Sequence, residues 1–246
     1  MHREWNATAY DRVAEPMTRW GASVLRRLPL DGDERVMDAG CGTGRVTEML
    51  LERLPRGRAI ALDASGAMVE QARQRLERFG ARVEYVQADL GRPLPIEGSV
   101  DAVLSTATFH WVPDHDALFE NLAAVLRPGG SLVAQCGGAG NIADLLEAAR
   151  AVDPGFDTIA HFETAEDTAV RLARAGFVEV ETWLSDEPTR FEPGEPFEAY
   201  LATVALREHA ERLGREGGAF IRATAARLPE AEVRYVRLNI GARRAG

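Results

Sequence analysis

The stretch Val36-Met37-Asp38-Ala39-Gly40-Cys41-Gly42-Thr43-Gly44-Arg45-Val46 decides the fold of this chain. An apolar strand ends in an acid, passes through three alternating glycines and enters a helix expected over Arg45–Arg53. Glycines at such a turn allow backbone torsions closed to other residues and let a ligand approach the main chain. The dinucleotide fingerprint G-x-G-x-x-G asks for its third glycine where this chain has Arg45, and Gly44 arrives one residue early. Asp38 stands where a pyrophosphate would be approached, and its charge would repel phosphate. A ligand carrying an ammonium and a sulfonium suits that acid better, because opposite charges attract at short range and more so in a half-buried cleft.

Outward from this loop, β-branched apolar runs alternate with helical patterns from Arg35 to about Gln135. That alternation marks a parallel sheet with crossover helices. Strands are expected at Arg35–Asp38, Arg58–Asp63, Arg82–Gln87, Val100–Ser105 and Ser131–Gln135, and helices at Arg45–Arg53, Gly66–Phe79 and Ala117–Leu126. Pro128-Gly129-Gly130 reads as a helix stop before the fifth strand. A helix at Thr164–Ala175 leads into a strand at Phe177–Trp183, and Glu232–Ala242 alternates Val233, Tyr235, Arg237 and Asn239 with Arg234, Val236, Leu238 and Ile240. These last two strands are expected to be antiparallel to each other. The fold class is therefore α/β, a doubly wound, mostly parallel seven-stranded sheet in a single domain over 1–246. Two helical segments fall outside the core, at 5–28 and 195–228. Ligands in open α/β sheets bind beyond the carboxyl ends of the strands, so these segments are expected to form a cap over that crevice; the alternative is a purely packing role.

Two more strands end in acids. Ile60-Ala61-Leu62-Asp63 places a carboxylate where a ribose could be held, and Gln87-Ala88-Asp89-Leu90 places another within reach of an adenine amine. Taken singly, Asp63 and Asp89 are ordinary turn or helix-cap acids. Three acids closing three successive strands point instead to a nucleoside ligand.

The D-x-G-x-G-x-G segment, Asp63, Asp89 and the run Leu126-Arg127-Pro128-Gly129-Gly130-Ser131-Leu132 resemble class I S-adenosylmethionine-dependent methyltransferases. Trp5-Asn6-Ala7-Thr8-Ala9-Tyr10, Phe109-His110-Trp111-Val112-Pro113-Asp114-His115 and Ile240-Gly241-Ala242-Arg243-Arg244 are similar to segments of the trans-aconitate methyltransferase group. The resemblance implies a Rossmann-like core with S-adenosyl-L-methionine as cofactor. It implies a cofactor site drawn from Tyr10, Asp38, Gly40, Cys41, Gly42, Gly44, Asp63, Ala64, Met68, Ala88, Asp89, Leu90 and Thr106. Methyl transfer is an in-line displacement in which the protein supplies orientation and electrostatics. A carboxylate acceptor needs no base, whereas a phenol or amine benefits from one. His110 is the candidate catalytic base, with a substrate donor or a structural histidine as alternatives. Trp111, Arg190 and Tyr200 are candidate substrate contacts, and His115 reads as a solvated residue near a helix start.

Composition bounds the partners. The net charge of −9 argues against tracking a phosphate backbone, and no apolar run reaches the roughly 18–20 residues of a membrane span. The sequence contains no lysine, so its 29 basic residues are all arginine. Cys41 and Cys136 set up neither a disulfide framework nor a metal site. A cytoplasmic enzyme methylating a carboxylate or hydroxyl of a small molecule is expected, with no nucleic acid, membrane or metal partner and no oligomeric state implied. The competing readings are an NAD(P)-dependent oxidoreductase and a non-catalytic regulatory protein that binds S-adenosylmethionine.

Overall fold

The computed structural model describes residues 15–246, with side chains from Arg19 onward. Seven strands form one sheet in the order β3-β2-β1-β4-β5-β7-β6. They are β1 (Arg35–Ala39), β2 (Arg58–Asp63), β3 (Val83–Gln87), β4 (Val100–Thr106), β5 (Leu126–Gly137), β6 (Phe177–Arg190) and β7 (Glu232–Arg244). Strands β1 to β5 run parallel, while β7 is antiparallel to both β5 and β6. The central strands are apolar throughout because helices cover both faces. Met37 and Ile60 pack on one side of the sheet with Phe119 and Leu122, and Val36 and Ala59 on the other with Leu50 and Leu51.

The helices are α1 (Glu15–Arg27), α2 (Arg45–Arg53), α3 (Gly66–Arg75), α4 (His115–Val125), α5 (Ala143–Val152), α6 (Ala165–Arg174), α7 (Glu195–Tyr200), α8 (Arg207–Leu213) and α9 (Gly217–Ala225). Ser65 caps α3 by accepting the Met68 amide, and Thr164 caps α6 by accepting the Asp167 amide. Three elements differ from expectation by more than two residues. Helix α3 stops at Arg75 rather than running to Phe79, since a 3-10 turn over Glu77–Arg82 breaks at Gly80. The Pro-Gly-Gly run is not the stop of α4, which ends at Val125; it lies inside β5, where the pairing with β4 shifts register between Val100 and Ala102. Strand β6 continues to Arg190 because, after a bulge between Val178 and Glu181, it stays paired with β7 through Arg190.

That length positions the cap. Gly137 at the end of β5 pairs with Arg237, so β7 residues 232–236 and their β6 partners project past the carboxyl edge of the sheet. Helices α7 to α9 connect the projecting ends. They share an apolar core with α5 and α1 built from Trp20, Leu145, Phe197, Tyr200, Phe220 and Tyr235. Among the described residues, no helix is long and apolar enough to cross a membrane.

Candidate active site

The sheet reverses direction of growth at β1 and β4, and a cavity of about 630 Å3 opens at the carboxyl ends of the strands there. That volume lies in the range of small-molecule sites, about 300–1,000 Å3. The glycine loop forms one wall. Gly40 and Gly42 both border the cavity and hold positive φ, +83° and +54°. A Cβ on Gly40 would collide with Thr108, whereas one on Gly42 would meet no protein atom within 4 Å. The space beside Gly42 is thus part of the open cavity.

Asp63 is fixed by the same loop. The Gly42 amide donates to its Oδ2 at 2.9 Å and the Ser65 amide to its Oδ1 at 2.9 Å. A carboxylate so pinned keeps lone pairs for a ligand's hydroxyls. Ala64, Met68, Ala88, Asp89 and Leu90 continue the wall. The Gly91 amide bonds Asp89 Oδ1 at 2.9 Å, so the turn role of this acid and its place on the cavity coexist. Acceptors beside apolar walls suit a nucleoside.

Three expected cofactor residues stand behind this surface. Asp38 is fully buried and outside the lining; the Thr47 hydroxyl donates to its Oδ2 at 2.6 Å. Cys41 faces the core cluster of α2 and α3, and Gly44 packs against Ala72 and Leu76 at the start of α2. Their contribution is the shape of the loop. Tyr10 lies outside the described residues, as does the start of the cap segment at 5–28.

The loop after β4 forms the floor. Thr106, Ala107, Thr108, His110 and Trp111 all line the cavity. The Gly137 amide donates to His110 Nδ1 at 3.3 Å. That bond makes Nδ1 an acceptor, which in the neutral ring puts the proton on Nε2. Its ring lies between Trp111 and Phe162, at centroid distances of 4.5 and 5.9 Å. His115 is buried rather than solvated; its Nε2–H donates to the Phe109 carbonyl at 3.0 Å, and burial lowers its pKa.

Two expected substrate contacts are elsewhere. The Arg190 side chain is 77% exposed and paired with Glu230 and Glu232 at the rim of the hairpin. It lies outside the cavity because β6 ends there, beyond the sheet edge. Tyr200 is buried one layer back, its hydroxyl bonded to that of Tyr235, and it is Tyr235 that borders the cavity.

The remaining wall was not anticipated. Asn141, Ile142 and the segment 157–162 close one side, with the His161 amide bonded to the His110 carbonyl at 2.8 Å. Trp20, Val204, Ala205 and Arg237 also line the cavity. Val204 and Ala205 belong to a π-helical turn, Leu201–Ala205, a geometry frequent at functional sites. Ala107 and Ile142 hold left-handed torsions, φ +55° and +51°. For a β-branched residue that is strained, and such strain concentrates at functional sites.

Residues 36–130 match the family described as methyltransferase domain. That match takes in strands β1 to β4 and the start of β5 and leaves the cap outside it. A trans-aconitate 2-methyltransferase of Azoarcus sp. (strain BH72) is 40% identical over 131 residues, 53% of this chain and 50% of that protein. The match thus spans about half the length of such curated relatives. Phosphoethanolamine N-methyltransferase 2 of Haemonchus contortus, solved in complex with S-adenosyl-L-methionine, superposes with a TM-score of 0.67 at 18% identity, over 98% of this chain and 57% of that one. The cyclase SpnF superposes with a TM-score of 0.63 at 20% identity, over 93% and 81%.

Behind the glycine loop, burial pushes the Asp38 carboxyl up to about 7, opposed by the Thr47 hydroxyl and reinforced by Asp63. The unfolded chain releases that proton near the ordinary Asp value, so between about pH 4 and 7 the folded state holds the extra proton. Stability should therefore fall as pH rises through that window and level off above it. In the ligand-free protein, Asp38→Asn should remove this component, gaining a few kcal/mol on the wild type between pH 4 and 7.5. Denaturant unfolding across that range checks it; parallel curves for the two proteins would contradict it.

Proposed function

We propose that this chain is an S-adenosylmethionine-dependent methyltransferase that O-methylates a small molecule, with a carboxylate as the favoured acceptor. S-adenosylmethionine, when bound, supplies a methyl group on a sulfonium. Asp63 takes its ribose hydroxyls, Met68, Ala64 and Leu90 flank its base with Asp89 beside the amine, and the Gly40–Gly42 backbone faces its amino-acid tail. The observation that carries the acceptor class is the bond from the Gly137 amide to His110 Nδ1, which occupies the ring nitrogen that would otherwise accept a proton as a base. An ionised carboxylate needs no proton removed, so a donor serves it better than a base. The acceptor in the name of the curated relatives, trans-aconitate, is itself an organic acid. A cyclase shares this fold, so transfer is assigned from the cavity and not from the architecture. Equilibrium titration tests the cofactor: S-adenosylhomocysteine should bind and NADPH should not, and the reverse preference would revive the oxidoreductase reading.

The cap belongs to the same proposal. Val204, Ala205 and Trp20 border the cavity, and a closed wall excludes water from the transferring methyl. Hydrogen exchange should show new protection in segments 19–28 and 195–228 when S-adenosylhomocysteine binds, together with 157–162. Protection confined to the loops after β1, β2 and β3 would reduce these helices to packing.

A further inference from the structure

We propose that the acceptor is a monocarboxylic acid with an apolar body. Asn141 holds its carboxylate, and the wall supplied by the cap and its neighbours holds its alkyl or aryl body. The inference rests on the reading of the cavity as a methyl-transfer site and adds to it the class of acceptor.

The wall on the cap side is apolar. Trp20 and Ile142 belong to the core cluster shared by the cap helices, α5 and α1, and Phe162, Val204 and Ala205 pack against that cluster. All five also border the cavity. Phe162, Val204 and Ala205 are only half-buried, and Ile159, in the same lining segment as Phe162, is 52% exposed. Side chains with a packing role alone would be covered. These leave apolar surface open to the cavity, and an apolar ligand that covers it gains affinity. Small-molecule sites have this make-up, mostly apolar walls with a few placed polar groups.

Charge argues the same way. Apart from two histidines, the charged side chains among the described residues of the lining are Asp63, Asp89, Asp157 and Arg237. The Arg237 guanidinium lies over the Trp20 ring at 4.7 Å. Three acids against one base give no surplus of positive charge for an acceptor carrying several carboxylates. A second carboxylate laid on the apolar wall would be buried without a partner, which is costly.

Asn141 supplies the polar contact. It is 4% exposed, and the Val236 amide donates to its Oδ1 at 3.0 Å, which makes the NH2 the end left for a ligand. Its own amide bonds the Gly138 carbonyl at 2.9 Å, and the turn is held although Ile142 takes a left-handed φ of +51°. A Cβ on Gly137 would stand 2.9 Å from Asn141 Nδ2 and 2.7 Å from Phe162 Cε1. Donor and apolar wall therefore meet at one place, and the glycine leaves room there. Gly137 also donates to His110 Nδ1, so this place adjoins the floor after β4. One carboxylate oxygen accepts from Asn141, and the other is left for methylation.

The test is calorimetry on the full chain saturated with S-adenosylhomocysteine, using butyrate, hexanoate and adipate as probes. Hexanoate should bind about 10-fold more tightly than butyrate, since each methylene buried is worth about fourfold. Adipate ends the same chain in a second carboxylate and should bind more weakly than hexanoate by about 10-fold or more. Ile159→Ser removes apolar surface at an exposed position; hexanoate should weaken about three- to tenfold and butyrate by less than about twofold. Asn141→Asp keeps an oxygen for the Val236 amide and loses the donor, so both monoacids should weaken about 10- to 100-fold. Affinity for S-adenosylhomocysteine should stay within about twofold in both variants, a result a merely structural role would not give. Adipate binding as tightly as hexanoate, or no gain from butyrate to hexanoate, overturns the proposal. Unchanged hexanoate affinity in either folded variant does the same, and the wild-type series with Ile159→Ser decides the matter if Asn141→Asp fails to fold. Failure of the wild type to bind S-adenosylhomocysteine would instead remove the functional reading beneath it.

Discussion

Replacing Gly42 by valine is expected to lower affinity for S-adenosylmethionine by about 100-fold or more while leaving the protein folded. The residue holds φ +54°, where a β-branched side chain is strained by roughly 1–3 kcal/mol. The new side chain also enters the cavity, because no protein atom lies within 4 Å of the Cβ position to meet it. Strain and occlusion together amount to about 3 kcal/mol or more of binding energy, the equivalent of that fold-change. The same emptiness keeps the fold intact, and melting should drop by only several degrees for a chain of this size. Gly42→Ala separates the two effects, since it carries the backbone strain with a smaller intrusion. Normal binding by the valine variant would mean that the cofactor lies elsewhere.

Asp63→Ala is expected to weaken S-adenosylhomocysteine by about 1.5–3 kcal/mol, the cost of losing hydrogen bonds to a charged group. Using the product rather than the substrate removes the sulfonium and isolates the ribose contacts from the field of Asp38. The alanine variant also strips the Gly42 and Ser65 amides of their acceptor, so part of the loss will come from a loosened loop. Asp63→Asn keeps one amide oxygen for that loop and should retain more affinity. Calorimetry on the two variants measures the split, and unchanged affinity in folded Asp63→Ala would remove Asp63 from the site.

The sheet was legible because its signals are local. Each parallel strand is a short apolar run closed by Asp38, Asp63 or the Gln87-Ala88-Asp89 turn, and β2 and α2 have the bounds their patterns imply. Part of the cavity lining was legible for the same reason: Gly40, Gly42, Asp63, Ala64, Met68, Asp89 and Leu90 follow strand ends and border the cavity. Asp38 shows where this reasoning overreaches. A motif fixes which residue ends the strand but not which way its side chain turns, and here it turns inward to Thr47. The rest of the cavity lining is assembled from distant pieces, α1, the π-helical turn, segment 157–162 and β7, none carrying a motif. Arg190 looked available because it is a basic residue near the cap, yet its pairing with Glu230 and Glu232 holds it at the surface. Arg237 did leave a trace. The alternation of β7 puts it on one face with Val233, Tyr235 and Asn239, and a buried arginine among such neighbours is more informative than an exposed one.

The most direct measurement incubates the protein with S-adenosylmethionine carrying a labelled methyl group and a panel of organic acids and phenols, then follows the label by mass spectrometry. Labelled methyl esters of a carboxylic acid, formed together with one equivalent of S-adenosylhomocysteine, are the predicted result. Label transferred only to phenols or amines, or cofactor bound without any transfer across the panel, would contradict the account.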